Sequence, residues 1–392
     1  MQATDRQPAR TLRLNPGRYR DNLAGYLFIA PALAVVGIFG IFPIFFTLYI
    51  SLYRWRIRRG PFLGLGNYRA IFGSLSYLAL FLGSGIALYA AARLLSAARP
   101  WLRRSGGLLL AATLGLLAWA LPHMVSAGDT GMYDSLQVTV WYSLGTVPVQ
   151  LVLGLLAAVL LYRRLPANQL FRVIYLLPYI VPTVASAAVF ERIFSLRPQG
   201  LANQLLALFG AAPLQWLYEP RGIFEMLSGG RIPASAPGVV ADYWLGWAQG
   251  PSLALFAIML YNWWVFVGYY ALIYINGLNN IPRHLYEAAQ VDGANARVSF
   301  FRITIPLLSP TTYFLTLLGI IGTFKAFTQI YVLRNPAVGA EVDPMSVEIF
   351  FVFFGTARFG YAAAQALVLF FVVLLLTLLQ RRFMEREVSY GE

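Results

Sequence analysis

The 392-residue chain has no cysteine. Disulfides, thiolate metal sites and cysteine nucleophiles are therefore excluded. Its two histidines, His123 and His284, are too few for a histidine-rich metal centre. Of 30 basic residues one is a lysine, Lys325, and it follows Phe324. The phosphate-cradling pattern G-x4-G-K-[ST] is thus absent, so the chain does not hold ATP by that route. Charge is scarce, at 12% of residues against roughly 25% in soluble domains. Carboxylates in or near apolar stretches reduce to Glu191, Glu348 and Glu225. None is spaced against a histidine or a second acid, which leaves a membrane-embedded glycosyltransferase without its catalytic pair. Asp129 and Asp134, on either side of Gly131, read as a solvated turn.

What is abundant is apolar, 59% of the chain. Eight stretches are long enough to cross a bilayer: 23–53, 76–97, 106–127, 136–162, 171–194, 251–277, 304–333 and 361–380. The expected fold class is all-α, a polytopic membrane protein of about eight transmembrane helices. Pro31 and Pro43 are expected to kink the first span. Arg6, Arg10, Arg13, Arg18 and Arg20 precede it, and it is too long for a signal-peptide core, so it reads as retained.

The net charge of +14 sits in short segments between apolar runs. That is the pattern of topology signals and lipid-headgroup contacts, not of nucleic-acid binding. With the N-terminus cytoplasmic, the inner segments hold seventeen arginines and the outer ones ten. Both termini are then cytoplasmic. The conflict is Arg54–Arg59, which falls outside: either the first span ends elsewhere or this loop binds a partner. The longest extramembrane segment, 195–250, carries Trp216, Tyr218, Trp244 and Trp247 and is expected to form short helices on the outer surface. Residues 343–360 form a second outer loop. No internal repeat and no midplane carboxylate is evident, which weighs against an ion-coupled secondary transporter.

Between 277 and 304 the chain turns polar. Asn279 or Asn280 is expected to cap a short helix, Pro282 suits its first turn, and Gly293 supplies the left-handed stop. The helix is too short to cross a bilayer. An ordinary loop helix would look the same; a docking peg would use Ala288 and Ala289 for close approach and Glu287 for an ion pair.

Polar residues also interrupt the spans. Lys325 lies mid-way along 304–333, where an isolated charge costs at least about 2.5 kcal/mol. Either it snorkels or pairs with Glu191, or it lines a polar path with Thr323 and Thr328. Asn262, Trp263 and Trp264 open 251–277, with Tyr269, Tyr270 and Tyr274 further on. Such a cluster suits an interfacial belt. It also suits a sugar, which wants aromatic faces and amide groups. Asn262 and Tyr269, seven apart, share a helix face. Pro178 and Pro182 are expected to bend 171–194 beside Tyr179 and Thr183.

The pattern Glu287-Ala288-Ala289, three residues, Gly293, nine residues, Ile303-x-Ile305-Pro306 resembles the EAA loop of ABC-importer permease subunits, with Ile305 in place of leucine. The resemblance runs over about 136–382 and includes Leu177-Pro178-Tyr179-Ile180-Val181-Pro182 and Asp292-Gly293-Ala294. Within that family the chain looks most like the sugar permeases, above all the larger permease of maltose systems, which also has eight spans. It departs in having only 128–135 where that type carries a large folded insertion.

The resemblance implies the following organisation. Residues 1–22 and 383–392 are cytoplasmic tails. Residues 23–135 hold spans one to three, two of them extra, and 136–382 form a six-span permease core with its coupling loop at 279–306. The chain is not itself an enzyme and carries no cofactor; ATP and Mg belong to partners. Those partners are a second permease, two ATPase subunits inside and an extracytoplasmic sugar-binding protein, in a bacterial inner membrane. Glu287, Ala288, Ala289, Asp292 and Gly293 would couple to an ATPase. Asn262, Tyr269, Tyr179 and Thr183 match sugar-contacting positions, and Thr323 a polar one. Phe266, Gly319 and Ala326 replace a glycine, a serine and an asparagine, so the sugar site is reshaped. The expected cargo is a di- or oligosaccharide, or an α-glucoside such as maltose or trehalose. A glycerol-phosphate or polyol permease is the alternative, and it would want a cation such as Lys325 in the cavity.

Overall fold

The computed structural model describes residues 16–162, 168–233 and 235–384. Arg6, Arg10, Arg13, Arg163, Arg164 and Arg386, with most of the two expected tails, lie outside them. The chain divides into two units, residues 1–50 and 51–392. The first unit is a helical rod. Helix Pro16–Val35 passes through a π-helical stretch, Val36–Ile41, into Phe42–Ser51. In a regular α-helix the Pro43 ring would strike the carbonyl of Phe39, and the wider turn absorbs that clash. Phe28 and Phe39 are 87% and 76% exposed, as on a rod that faces lipid. The span stops at Ser51 and not at Tyr53, because Tyr53 already belongs to a strand.

In the second unit the seven remaining spans recur as five continuous helices and two broken ones. The continuous helices are Leu75–Leu95, Pro100–Ala127, Thr130–Tyr162, Leu253–Asn279 and Phe359–Arg382. The first break separates Gln169–Ile180 from Thr183–Ile193, which meet at 94°. Pro182 has no N–H to give back to the Pro178 carbonyl, and it forces Val181 out of helical geometry. The expected bend is thus a full corner. The second break separates Ala296–Leu307 from Ser309–Phe324, at 59°. The expected span 304–333 is not one helix: it stops at Phe324 and restarts as Thr328–Leu333.

The core of this unit is Leu253–Asn279, which packs along Thr130–Tyr162 and against the Asn168–Ile180 helix. Small residues permit the approach, as expected where packing and not the hydrophobic effect holds helices together. A Cβ at Gly154 would lie 2.6 Å from the Tyr270 Cβ, and one at Gly268 would lie 1.8 Å from the Tyr175 carbonyl oxygen. Buried tyrosines fill the remaining space and pair their hydroxyls. Tyr261 bonds Ser186 at 2.7 Å and Tyr274 donates to Thr312 at 3.2 Å.

Segment 195–250 folds as short helices, as expected: Leu201–Leu208, Ile223–Leu227 and Val239–Gln249. Buried Asn203 ties the first of them to the 214–216 stretch by accepting from Leu214 N at 3.0 Å and Trp216 Nε1 at 2.9 Å. Further on, Arg334 forks onto Asp343 at 2.6 and 2.8 Å, holding the start of segment 343–360. Among the described residues the one β-sheet is a hairpin, Tyr53–Trp55 against Arg59–Phe62. The arginine-rich loop that conflicted with the inside-positive pattern is this hairpin.

Candidate functional site

Two features are built on Leu253–Asn279, one just beyond its C-terminal end and one along its middle. The first is the polar helix after it, Arg283–Val291. Its N-cap is Pro282, with no side-chain cap. Asn279 and Asn280 do not start this helix; they are the last residue and the C-cap of the preceding one. The far end closes with paired bonds, Ala294 N to Ala289 O at 2.8 Å and Gly293 N to Gln290 O at 3.0 Å. Gly293 has φ +79°, the left-handed geometry that this double closure needs. Asn295 caps the next turn by accepting from Val298 N at 2.9 Å.

One face of the helix is anchored. Leu285 and Tyr286 pack on the core, and the Tyr286 hydroxyl bonds Thr304 Oγ1 at 2.9 Å. The other face is free: Glu287, Ala288 and Asp292 are exposed, and Val291 is 88% exposed. A single exposed apolar side chain is ordinary. Phe301, in the π-helical stretch Phe300–Thr304 that follows, is 60% exposed as well. Val291 and Phe301 were not singled out from sequence; an apolar residue beside a polar motif carries no signal until its face is known.

The second feature is a cavity of about 210 Å³. It brings together Tyr179, Asn262, Tyr269 and Thr323, four of the residues expected on the pathway. Tyr179 and Tyr269 stack, centroids 4.7 Å apart and 19° between planes. Phe266 stands edge-on to Tyr179 at 5.5 Å. Asn262 is buried and both ends of its amide are used. Its Oδ1 accepts from Gln150 Nε2 at 2.8 Å and its Nδ2 donates to the Tyr142 hydroxyl. Gln329 Nε2 reaches the same hydroxyl at 3.4 Å. Thr323 Oγ1 donates to Ser143 Oγ at 2.9 Å. No charged residue lines the cavity.

Two expected residues are elsewhere. Lys325 is not mid-span. It is the C-cap of Ser309–Phe324, exposed and outside the cavity lining. A cation there faces the negative end of the helix, a favourable position. Thr183 begins the half-helix beyond the corner at Pro182, and its carbonyl accepts from the Tyr261 hydroxyl at 3.3 Å. The corner turns it away from Tyr179. Gly319, where the resemblance expects serine, has no room for a side chain: a Cβ would lie 2.5 Å from the Tyr270 hydroxyl. Sequence reasoning missed Gln150, Gln329 and Tyr142. The first two are uncharged amides inside apolar runs, which is itself a functional signal in a membrane span.

The family of binding-protein-dependent transport system inner membrane components matches residues 150–388. The chain belongs to this family. It is a multi-span permease subunit of an ABC importer. The trehalose/maltose transport system permease protein of Thermococcus litoralis is 28% identical over 363 residues, covering 92% of this chain and 93% of its own. The lactose transport system permease protein of Rhizobium radiobacter is 27% identical over 376 residues, 95% and 97% of the two chains. A bacterial alginate ABC transporter, solved with an alginate pentasaccharide-bound periplasmic protein, has a chain that superposes with a TM-score of 0.60. The identity there is 17%, over 97% of this permease and all of that chain, so the likeness concerns the fold.

The two features differ in chemistry. The cavity offers amides, hydroxyls and aromatic faces, which can hold a polyhydroxyl compound. The helix Arg283–Val291 offers one acidic, partly apolar face on a rigid mount, which can be gripped.

Proposed function

We propose that this permease carries a neutral di- or oligosaccharide, an α-glucoside such as maltose or trehalose, inward across a bacterial inner membrane. The observation that carries this reading is the uncharged cavity with its stacked Tyr179–Tyr269 pair beside the Asn262–Gln150 amides. Sugars present C–H faces to aromatic rings and hydroxyls to amides. A glycerol phosphate would need a cation in the lining, and Lys325 lies outside it. An ion-coupled carrier would need a carboxylate there. The sugar names of the two curated relatives point the same way.

The cavity is smaller than the ~300–1,000 Å³ of a complete ligand site. This chain therefore supplies one wall, and a second permease supplies the other. Two ATPase subunits bind on the cytoplasmic side, where Glu287, Ala288, Ala289, Asp292 and Gly293 form the coupling element, and an extracytoplasmic binding protein delivers the sugar. Both termini of the permease are cytoplasmic.

The test is uptake of radiolabelled maltose, trehalose and glycerol phosphate by the assembly in proteoliposomes. Transport of a neutral sugar that falls at least 10-fold in Tyr269→Ala, with ATPase association unchanged, supports the reading. Uptake of glycerol phosphate alone, or a Tyr269→Ala variant that transports normally, rejects it.

A further inference from the structure

Five arginines and no carboxylate lie between Leu52 and Ser76, at the end of the bundle where the inside-positive pattern predicts few. The structure gathers part of this charge into a recess of about 890 Å³. Arg54 and Arg56 come from the hairpin and Arg358 from the start of the last span; Trp55, Asn67 and Tyr361 line the recess with them. All three arginines are exposed, and none has an ion-pair partner among the described residues. The one carboxylate bonded to the lining is Asp129, which accepts from the Tyr361 hydroxyl.

The recess is built, not incidental. Asn67 Nδ2 donates to the carbonyls of Ser51 at 2.7 Å and Tyr53 at 3.0 Å, which fixes the hairpin to helix Gly66–Phe72. Ala357 has φ +52°, a left-handed conformation costly for any residue with a Cβ. That strained turn delivers Arg358, whose guanidinium then lies 4.1 Å over the Tyr361 ring. Strain of this kind persists where the surroundings hold it and it serves a site.

We propose that this recess binds the headgroup of an anionic phospholipid of the outer leaflet. Guanidinium forks suit phosphate oxygens. The site sits where a headgroup sits, at the ends of spans. With the bent pair Gln169–Ile180 and Thr183–Ile193 counted as one crossing, five spans separate it from the Arg283–Val291 helix, which places it on the opposite side of the membrane from the proposed coupling element. Apolar side chains for acyl tails adjoin it: Ile57 is 84% and Phe62 64% exposed on the same hairpin. A soluble phosphate or an acidic protein surface would have no use for them. A zwitterionic headgroup would bring its own cation against the arginines. The proposal rests on the proposed orientation only for the leaflet it assigns.

The assembly with its partner subunits, purified in detergent and delipidated, is titrated with dioleoyl phosphatidylglycerol, dioleoyl phosphatidylcholine or inorganic phosphate, and bound lipid is counted by native mass spectrometry. The expected result is a preference for phosphatidylglycerol that weakens roughly 5-fold per arginine removed, on the order of 100-fold in the triple variant R54Q/R56Q/R358Q. R221Q, on an outer loop, keeps the preference. If the triple variant does not assemble, R358Q alone carries the test at about 5-fold. Equal retention of the two lipids, or an unchanged preference in R358Q, overturns the proposal. Displacement of phosphatidylglycerol by equimolar inorganic phosphate overturns it in favour of a free anion. Loss of binding-protein stimulation in R358Q, with lipid preference intact, overturns it in favour of a protein contact.

Discussion

Replacing Asn262 by alanine separates two roles that a pathway residue can have. Its amide accepts from Gln150 at 2.8 Å and donates to the hydroxyl of fully buried Tyr142. The substitution removes both bonds. Gln150 keeps the Asn262 backbone carbonyl at 3.1 Å, and Tyr142 keeps Gln329 at a long 3.4 Å. Interhelical hydrogen bonds in membranes average about 0.6 kcal/mol and reach about 1.7. A buried hydroxyl left with a poor partner adds about 1 kcal/mol or more. The expected loss is about 2 kcal/mol, a factor near 30 in the folded ratio. Unfolding of the purified assembly in an SDS titration measures it, beside sugar uptake. Because Gln150 works through the same amide, Gln150→Ala on top of Asn262→Ala should cost little more, with a coupling of about 1 kcal/mol in the double-mutant cycle. Tyr269→Ala should cut uptake with a much smaller stability change. Strictly additive effects of the Gln150 and Asn262 substitutions would refute the network. A stable Asn262→Ala variant with lost uptake would show that Asn262 meets the sugar directly.

The remaining expectations concern the polar helix Arg283–Val291 and Lys325. Glu287→Lys should leave insertion and assembly intact while ATP hydrolysis no longer drives uptake; normal uptake would remove the docking role. Gly293→Ala meets no atom within 4 Å, so its cost is backbone strain alone, about 1–2 kcal/mol at φ +79°. Gly293→Asn should cost less, and ATPase association by pull-down should follow that order. Lys325→Gln should leave neutral-sugar uptake within about 2-fold, because the side chain caps a helix outside the cavity; a 10-fold loss would return Lys325 to the pathway.

The spans were legible because an apolar run of bilayer length has few alternatives. Proline marked where the broken spans turn but not how far. Pro182 gives a 94° corner while Pro31 lies inside a continuing helix, since the angle depends on what packs beside the free carbonyls. Hydropathy reads through Lys325–Phe327, so Lys325 looked mid-span where the chain breaks. The polar helix Arg283–Val291 was legible through Pro282 at its start and Gly293 at its stop, and its spacing to Pro306 carried the family resemblance. Half of the cavity was legible for the same reason, by alignment from Glu287. Its other half, Gln150, Tyr142 and Gln329, comes from helices far away in sequence and follows no local period. The hairpin at Tyr53–Phe62 was hidden because arginines signalled topology, not strand.

The arrangement of broken and unbroken helices suggests how a grip at one end reaches the other. Leu253–Asn279 is continuous and carries Asn262 and Tyr269. From Tyr269 to Asn279 is ten residues, about 15 Å at 1.5 Å per residue, and the proposed coupling helix begins four residues later at Arg283. Tyr179 and Thr323 instead sit at the C-terminal ends of half-helices, one residue before Ile180 and one before Phe324. The cavity wall therefore joins one rigid rod to the tips of two hinged pieces. A displacement of the rod past those tips shears the Tyr179–Tyr269 stack first, because that contact crosses between a continuous helix and a half-helix, whereas the Asn262–Gln150 bond joins two continuous helices. Shear of this kind between packed helices is a common way to open a site. The half-helix ends contribute chemistry too. Their last carbonyls lack intrahelical partners and carry the negative end of the helix dipole. A negative pole at the cavity disfavours an anion, which fits the proposed neutral cargo without any charged side chain in the lining.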